Sequence, residues 1–332
     1  MTPADALTAS RYLAGVQQML AEDGVAPASL LRGTGLTQAL LDDAAGYVTA
    51  ADLDRFLANA ITASGDPRPG LRLGRRLNIS AHGSAGLAGL TAANARSALQ
   101  VAVRYFPLIT ELIRLRFTEA DGSTLVMVDP LPGITPCCET FVVQTLFSSI
   151  TLMAGFLLGE QTIAVTLSLP GPRNDSLLQG LPELRSGVRF NARGYSIQLP
   201  AKVLDSVFAL ADSHAHQQAL QRCEQELARL QQQRSFADRL YQQLLYSDDH
   251  SPSLTQLADA LSLSTRTLHR RLAAEGCGFR DLLNQARMLK AERLLRQGRS
   301  VTAIAHSLGY GDSANFTRAF RRFHGVPPSE FV

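Results

Sequence analysis

Through the first hundred residues, apolar positions return every three or four places, the spacing of a helix with one buried face. Leu13, Val16 and Leu20 predict a helix over Arg11 to Asp23, and Pro27 opens a short segment ending near Gly33. Thr37 is placed to cap one helix, and Thr49 to cap another that carries Leu53, Phe56, Leu57 and Ala60 on one face. Gly65, Pro67 and Pro69 break that helix. After GLRLGRRLNIS and the small-residue run HGSAGLAGL, Asn94 caps a helix with Leu99, Val103 and Phe106 aligned.

From Glu111 the period changes to two. ELIRLRFTEADGSTLVMVD alternates on both sides of Ala120-Asp121-Gly122, the signal of a β-hairpin. Leu131 to Pro136 reads as a loop, Phe141 to Leu158 as a strongly apolar core helix, and residues 162–170 as a buried strand. Residues 188–200 read as two short strands around Ala192-Arg193-Gly194. The expectation is an α+β domain: helices, then a small mixed or antiparallel sheet with one long helix packed on it. There are too few strands for a jelly-roll barrel.

Residues 201–245 return to helical spacing. Leu220, Cys223, Leu227 and Leu230 fall at coiled-coil spacing for two heptads, which fits a short dimerising helix or one packed on its own domain. Asp248, Asp249, Ser251 and Pro252 mark a linker.

Beyond it comes a tandem repeat. In SLTQLADALSLSTRTLHRRL, Leu254, Leu257, Ala258 and Leu261 form the inner face of a first helix. Ser262-Leu263-Ser264 turns the chain, and Leu268 and Leu272 bury a second helix. In the 300–323 segment, Ala305, Leu308, Gly309 and Tyr310 repeat Ala258, Leu261, Ser262 and Leu263 at an offset of 47. Phe316, Arg318 and Phe320 then repeat Leu268, Arg270 and Leu272 at 48, so the second copy has one extra turn residue. These are two helix-turn-helix units. One helix joins them, striped by Leu282, Leu283, Ala286, Leu289 and Leu294 and stopped at Gly298. Two such heads entering one face of a duplex sit about 34 Å apart.

Charge agrees with this division. Net charge is +3, but between Ser253 and His324 12 Lys and Arg face 5 Asp and Glu, while the remaining chain is mildly acidic. A basic block on an acidic body suits a polyanion partner. No apolar run reaches membrane-span length, and the N-terminus lacks a secretion-signal pattern. The four cysteines show no disulfide framework or zinc spacing, which points to a reducing cytoplasm. No catalytic set, phosphate loop, metal site or cofactor motif stands out.

The double unit, its connecting helix and LGYGDSANFTRAFRRFHGVPPSEF resemble the DNA-binding domain of AraC/XylS-family bacterial transcription regulators. GLRLGRRL and the long core helix resemble that family's arabinose-binding-type N-terminal domain more loosely. The resemblance implies a regulatory domain over 1–212, a linker and dimerisation segment over 213–252, and a DNA-binding domain over 253–332. It implies base readers at Arg266, His269 and Arg270 in the first unit, and at Ser313, Ala314, Thr317 and Arg318 in the second. Ser264, Thr267, Arg271, Arg321 and Arg322 are placed for phosphates. It also implies promoter DNA, RNA polymerase, a small-molecule effector and a second copy of the chain as partners. An apolar or amphipathic effector fits the low-charge interior, with His82, Arg104, Arg114 and Phe141 as candidate contacts. An activator is expected. The alternatives are a ligand-independent dimeric regulator and a thiol-based sensor using Cys137 or Cys138.

Overall fold

The computed structural model describes residues 5–120, 122–158, 165–181, 187–232, 234–247 and 252–331. Of the features expected above, Asp121, the 162–164 part of the expected strand, and Asp248, Asp249 and Ser251 lie outside these residues. The chain forms two compact units, divided between Ala228 and Arg229.

The first unit begins with β1 (Leu7–Ala9) and α1 (Ser10–Glu22), followed by α2 (Pro27–Leu31) and α3 (Gln38–Asp42). β2 (Tyr47–Thr49) returns to pair antiparallel with β1. Next come α4 (Ala50–Ser64), α5 (Pro69–Arg76), α6 (Gly83–Leu90) and α7 (Ala95–Tyr105). The expected caps are present: Thr37, Thr49 and Asn94 side chains accept from the amides of Leu40, Asp52 and Ser97. α7 departs from its expected stripe. It buries Val101 and Tyr105, while Leu99 and Val103 stay half-buried. Leu99 lines the cavity described below, whereas Val103 does not.

β3 (Ile113–Ala120) and β4 (Ser123–Pro130) form the predicted hairpin, with Ala120 opposite Ser123. α8 (Pro136–Leu158), β5 (Thr166–Ser168), α9 (Asp175–Gln179), β6 (Val188–Arg189) and β7 (Tyr195–Pro200) complete a sheet of order β3-β4-β7-β5-β6, antiparallel except for the β5–β6 pair. α8 starts earlier than the apolar pattern indicates. The Thr135 hydroxyl accepts from the Cys138 amide and Pro136 stands first in the helix, a capped start that the loop reading of 131–136 passes over.

α5 lies close against α8 through two glycines. A Cβ on Gly70 would stand 2.5 Å from the Phe141 carbonyl oxygen, and one on Gly74 2.5 Å from that of Thr145. Only hydrogen at these positions lets the two backbones approach, and the approach fixes the α8 face that carries Phe141, Thr145 and Ser149.

α10 (Ser213–Gln232) crosses the division between the units. Its first part is tied to the first unit: His216 Nδ1 lies 2.8 Å from the Ala88 carbonyl, and Ser84 donates to Glu226 at 2.7 Å.

The second unit contains α11 (Phe236–Tyr246), α12 (Leu254–Ala260), α13 (Thr265–Ala274), α14 (Phe279–Arg296), α15 (Val301–Ser307) and α16 (Ser313–His324). α14 is its central helix. It buries Leu282, Ala286, Leu289 and Leu294 as expected, and also Phe279, Met288, Ala291 and Leu295. Lys290, 2% exposed on α14, donates to both the Ser247 carbonyl and its hydroxyl at 2.8 Å, capping the end of α11. Glu275, just after α13, accepts from the Phe236 and Ala237 amides at 2.9 and 2.7 Å and so holds the start of α11. α11, within the segment read as a linker, is therefore an integral part of this unit.

Candidate DNA interface and effector cavity

The two helix-turn-helix units, α12–α13 and α15–α16, are built on the same turn. After α12, the Leu263 amide donates to the Ala258 carbonyl at 2.8 Å and that of Ser262 to Asp259 at 2.9 Å. After α15, Tyr310 donates to Ala305 at 2.9 Å and Gly309 to His306 at 3.1 Å. This double bond closes a helix C-terminus only when the residue between takes a left-handed conformation. Ser262 does so at φ 53° and Gly309 at φ 75°. The second helices are capped by Ser264 and Asp312, so the extra residue of the second turn falls between Tyr310 and Asp312, at Gly311.

Each second helix is pinned by its apolar face and leaves the opposite face free. Leu268 and Leu272 bury α13, and Phe316 and Phe320 bury α16, with the Phe316 and Phe320 rings 5.7 Å apart. Arg266, His269, Arg270, Ala314 and Arg318 are exposed, and Ser313 and Thr317 are half-buried. On α16, Asp312 accepts from the Asn315 amide and from its Nδ2, and Asn315 Oδ1 in turn accepts from Arg318 Nη2 at 2.5 Å. Among the residues placed for phosphates, Arg321 and Arg322 are exposed. The Ser264 hydroxyl is engaged with the Thr267 amide and hydroxyl. The Arg271 guanidinium lies 5.4 Å from the centre of the Phe236 ring, a cation–π contact that commits it to α11.

The first unit contains a partly open cavity of about 230 Å³. α6, α7, α8 and β3 form most of its wall, which among the described residues is almost wholly apolar and carries no Asp, Glu, Lys or Arg side chain. His82 is its distinctive polar group. Its Nδ1 lies 2.7 Å from the Tyr12 hydroxyl and its Nε2 3.4 Å from the Ser149 hydroxyl. Burial, reinforced by the nearby Arg11 charge, lowers the His82 pKa to about 4, so the ring is neutral at physiological pH. Tyr105, also on the wall, donates through its hydroxyl to Glu224 of α10 at 2.5 Å.

A model of the arabinose-binding N-terminal domain of AraC transcription regulators matches residues 24–207, and a helix-turn-helix model matches 257–332. The chain belongs to the AraC family. It is a DNA-binding transcription regulator, not an enzyme. The "Ornithine utilization regulator" of Pseudomonas aeruginosa is 30% identical over 327 residues, covering 96% of this chain and 94% of that protein. The transcriptional activator RhaS of an Enterobacter species is 42% identical over 97 residues, 28% of this chain and 35% of that one. The crystal structure of the regulator CdpR from Pseudomonas aeruginosa is 28% identical, covers 80% of this chain and 86% of that chain, and has a TM-score of 0.41. No helix among the described residues is long and apolar enough to cross a membrane.

Within this AraC-family regulator, the candidate effector contacts divide. His82 and Phe141 line the cavity. Arg104 and Arg114 do not. Arg104 is held by Glu224 at 2.5 Å, and Arg114 alternates with the wall residues Ile113 and Leu115 on β3, so it faces away. Tyr12 and Ser149 are part of the polar corner and went unnoticed in the sequence.

On the stripe read as a dimerising helix or one packed on its own domain, Cys223 and Leu230 are buried within the single chain, and Leu220 and Leu227 are half-buried. The Cys138 thiol is pushed up to about 12 by burial, and Cys137 is raised as well. Both are thiols rather than reactive thiolates at neutral pH, which argues against the thiol sensor.

Proposed function

We propose that this regulator is an activator whose hold on promoter DNA is set by a small molecule in the first-unit cavity. The observation that carries this reading is the cavity wall around His82, which is apolar and, among the described residues, uncharged. An apolar cavity of about 150 Å³ already takes benzene in preference to water, so one of about 230 Å³ suits a small apolar ligand. The name of the relative, a regulator of ornithine utilization, does not carry a charged amino acid over to this cavity, because among the described residues its wall offers no carboxylate or cation.

On this reading, Arg266, His269, Arg270 and Arg318 meet base edges, Ser313 and Thr317 flank them, and Ala314 offers only its methyl group. Arg can bond guanine bidentately, and each good pair is worth about 1–3 kcal/mol of discrimination. Arg321 and Arg322 meet phosphates, as do the amides at the start of each reading helix. Occupancy is passed on through Tyr105, which joins the cavity wall to Glu224 on α10, the helix through which the chain continues to the DNA-binding unit. RNA polymerase and a second copy of the chain complete the active promoter complex, in the cytoplasm. The name of RhaS, an activator, supports the direction of control.

The test is promoter binding by Ala102→Phe, which fills the cavity. The variant should keep DNA binding and lose all response to added metabolites. A response equal to that of the parent chain would reject effector control through this cavity and leave a ligand-independent regulator.

A further inference from the structure

The hydroxyls on the cavity wall are nearly all engaged at short distance. Thr8 and Thr110 bond each other at 2.8 Å, Thr145 donates to the Phe141 carbonyl at 2.8 Å, and Tyr105 donates to Glu224. Ser149 differs. It is 1% exposed, and among the described residues its hydroxyl has a single partner, His82 Nε2, at a weak 3.4 Å. At the other ring nitrogen, Tyr12 makes a short 2.7 Å bond. A phenol is a stronger donor than acceptor, so Tyr12 donates to Nδ1 and leaves the proton of the neutral ring on Nε2. Two donors, His82 Nε2–H and Ser149 Oγ–H, therefore meet at one spot on an otherwise apolar wall.

Arg11, whose charge reaches His82, is not part of the wall. Its guanidinium donates to the Leu108 carbonyl at 3.0 Å and to that of Ala44 at 3.3 Å. Among the described residues, a bound carboxylate would thus be desolvated with no cation touching it, and a bound ammonium with no acceptor carrying charge.

We infer that the cavity ligand is an uncharged, mainly apolar molecule whose one acceptor oxygen, a carbonyl, sits between His82 Nε2 and Ser149 Oγ. This rests on the reading of the cavity as the effector site and names the chemistry it selects. The ligand oxygen takes over both donors at once, and the long Ser149–His82 contact it disturbs is cheap to give up.

The experiment uses the full chain and four seven-carbon probes, titrated by calorimetry: a methyl ketone, the alkane, the primary amine and the carboxylate. The ketone should bind about tenfold tighter than the alkane, with the amine and the carboxylate weaker than the ketone. Ser149→Ala and His82→Phe should each reduce the ketone's advantage over the alkane. Should His82→Phe fail to fold, Ser149→Ala and the infrared carbonyl band of the bound ketone decide. That band should move to lower frequency in the parent chain and back towards its free position in Ser149→Ala. Equal ketone and alkane affinities, an unshifted carbonyl, or tightest binding by the carboxylate would overturn the inference while leaving the cavity as a binding site. No binding by any probe would overturn both.

Discussion

Asn315 Oδ1 accepts a hydrogen bond from Arg318 Nη2 one helical turn further along α16, and Asn315 is itself held at backbone and side chain by Asp312. The pair limits the rotamers open to Arg318, so in the proposed DNA contact part of the ordering of its guanidinium is already done. Asn315→Ala should weaken binding to the cognate promoter by roughly 0.5–1.5 kcal/mol, the net value of one such bond. In a double-mutant cycle read by fluorescence anisotropy, adding Asn315→Ala to Arg318→Ala should cost almost nothing further. Additive losses would show that the two residues act separately.

Ser262 holds a left-handed turn at φ 53°, where its counterpart in the second unit is Gly309. A side chain in this conformation is strained, and glycine is not. Ser262→Gly should stabilise the second unit by about 0.5–1 kcal/mol after allowing for the extra freedom of glycine in the unfolded chain. Urea denaturation followed by circular dichroism measures this. A loss of stability would mean that the Ser262 side chain makes a compensating contact.

Gly74 lets α5 lie against α8, where a Cβ would stand 2.5 Å from the Thr145 carbonyl oxygen and 2.7 Å from Ser148 Cβ. Gly74→Ala should destabilise the first unit by about 1–3 kcal/mol, the usual range for overpacking. It should also displace the α8 face that carries Thr145 and Ser149, and so weaken ligand binding at conditions where the unit stays folded. Thermal unfolding and probe titration together separate the two effects.

His82 carries a pH signature. Its folded pKa of about 4 lies below the ordinary histidine value of 6.5, so the unfolded chain binds the proton more readily. Its contribution is full above pH 6.5 and is lost as pH falls towards about 4, by on the order of 3 kcal/mol. Denaturation of the first unit between these limits should show this slope. His82→Gln should flatten it, and an unchanged slope would assign it to other groups.

Much of this was legible in the residues. Thr37, Thr49, Asn94 and Ser264 announce helix starts because a cap and the apolar face it introduces are neighbours in sequence. The repeat offset of 47 reappears as matching turn hydrogen bonds, because inner positions and turn geometry are local properties. The β1–β2 ribbon was not legible: Leu7 pairs with Thr49 over just three residues, too short for a periodic signal. Nor was the cavity, whose wall draws on residues from Thr8 to Phe208 and is defined by volume left unfilled. An amphipathic stripe cannot say what covers it, which is why Cys223 read equally well as a dimer seam and as a residue packed on its own domain. The alternation of Ile113, Arg114 and Leu115 did contain the reason that Arg114 faces away from the ligand space.

Whether α13 and α16 read DNA sequence through exposed arginines is decided by the ratio of cognate to non-cognate duplex affinity for the full chain and for Arg318→Ala, measured by fluorescence anisotropy across a salt series. Arg318→Ala should lose about 1–3 kcal/mol of discrimination while keeping weak, strongly salt-dependent binding to both duplexes. An unchanged ratio, with cognate affinity equal to that of the parent chain, would contradict it.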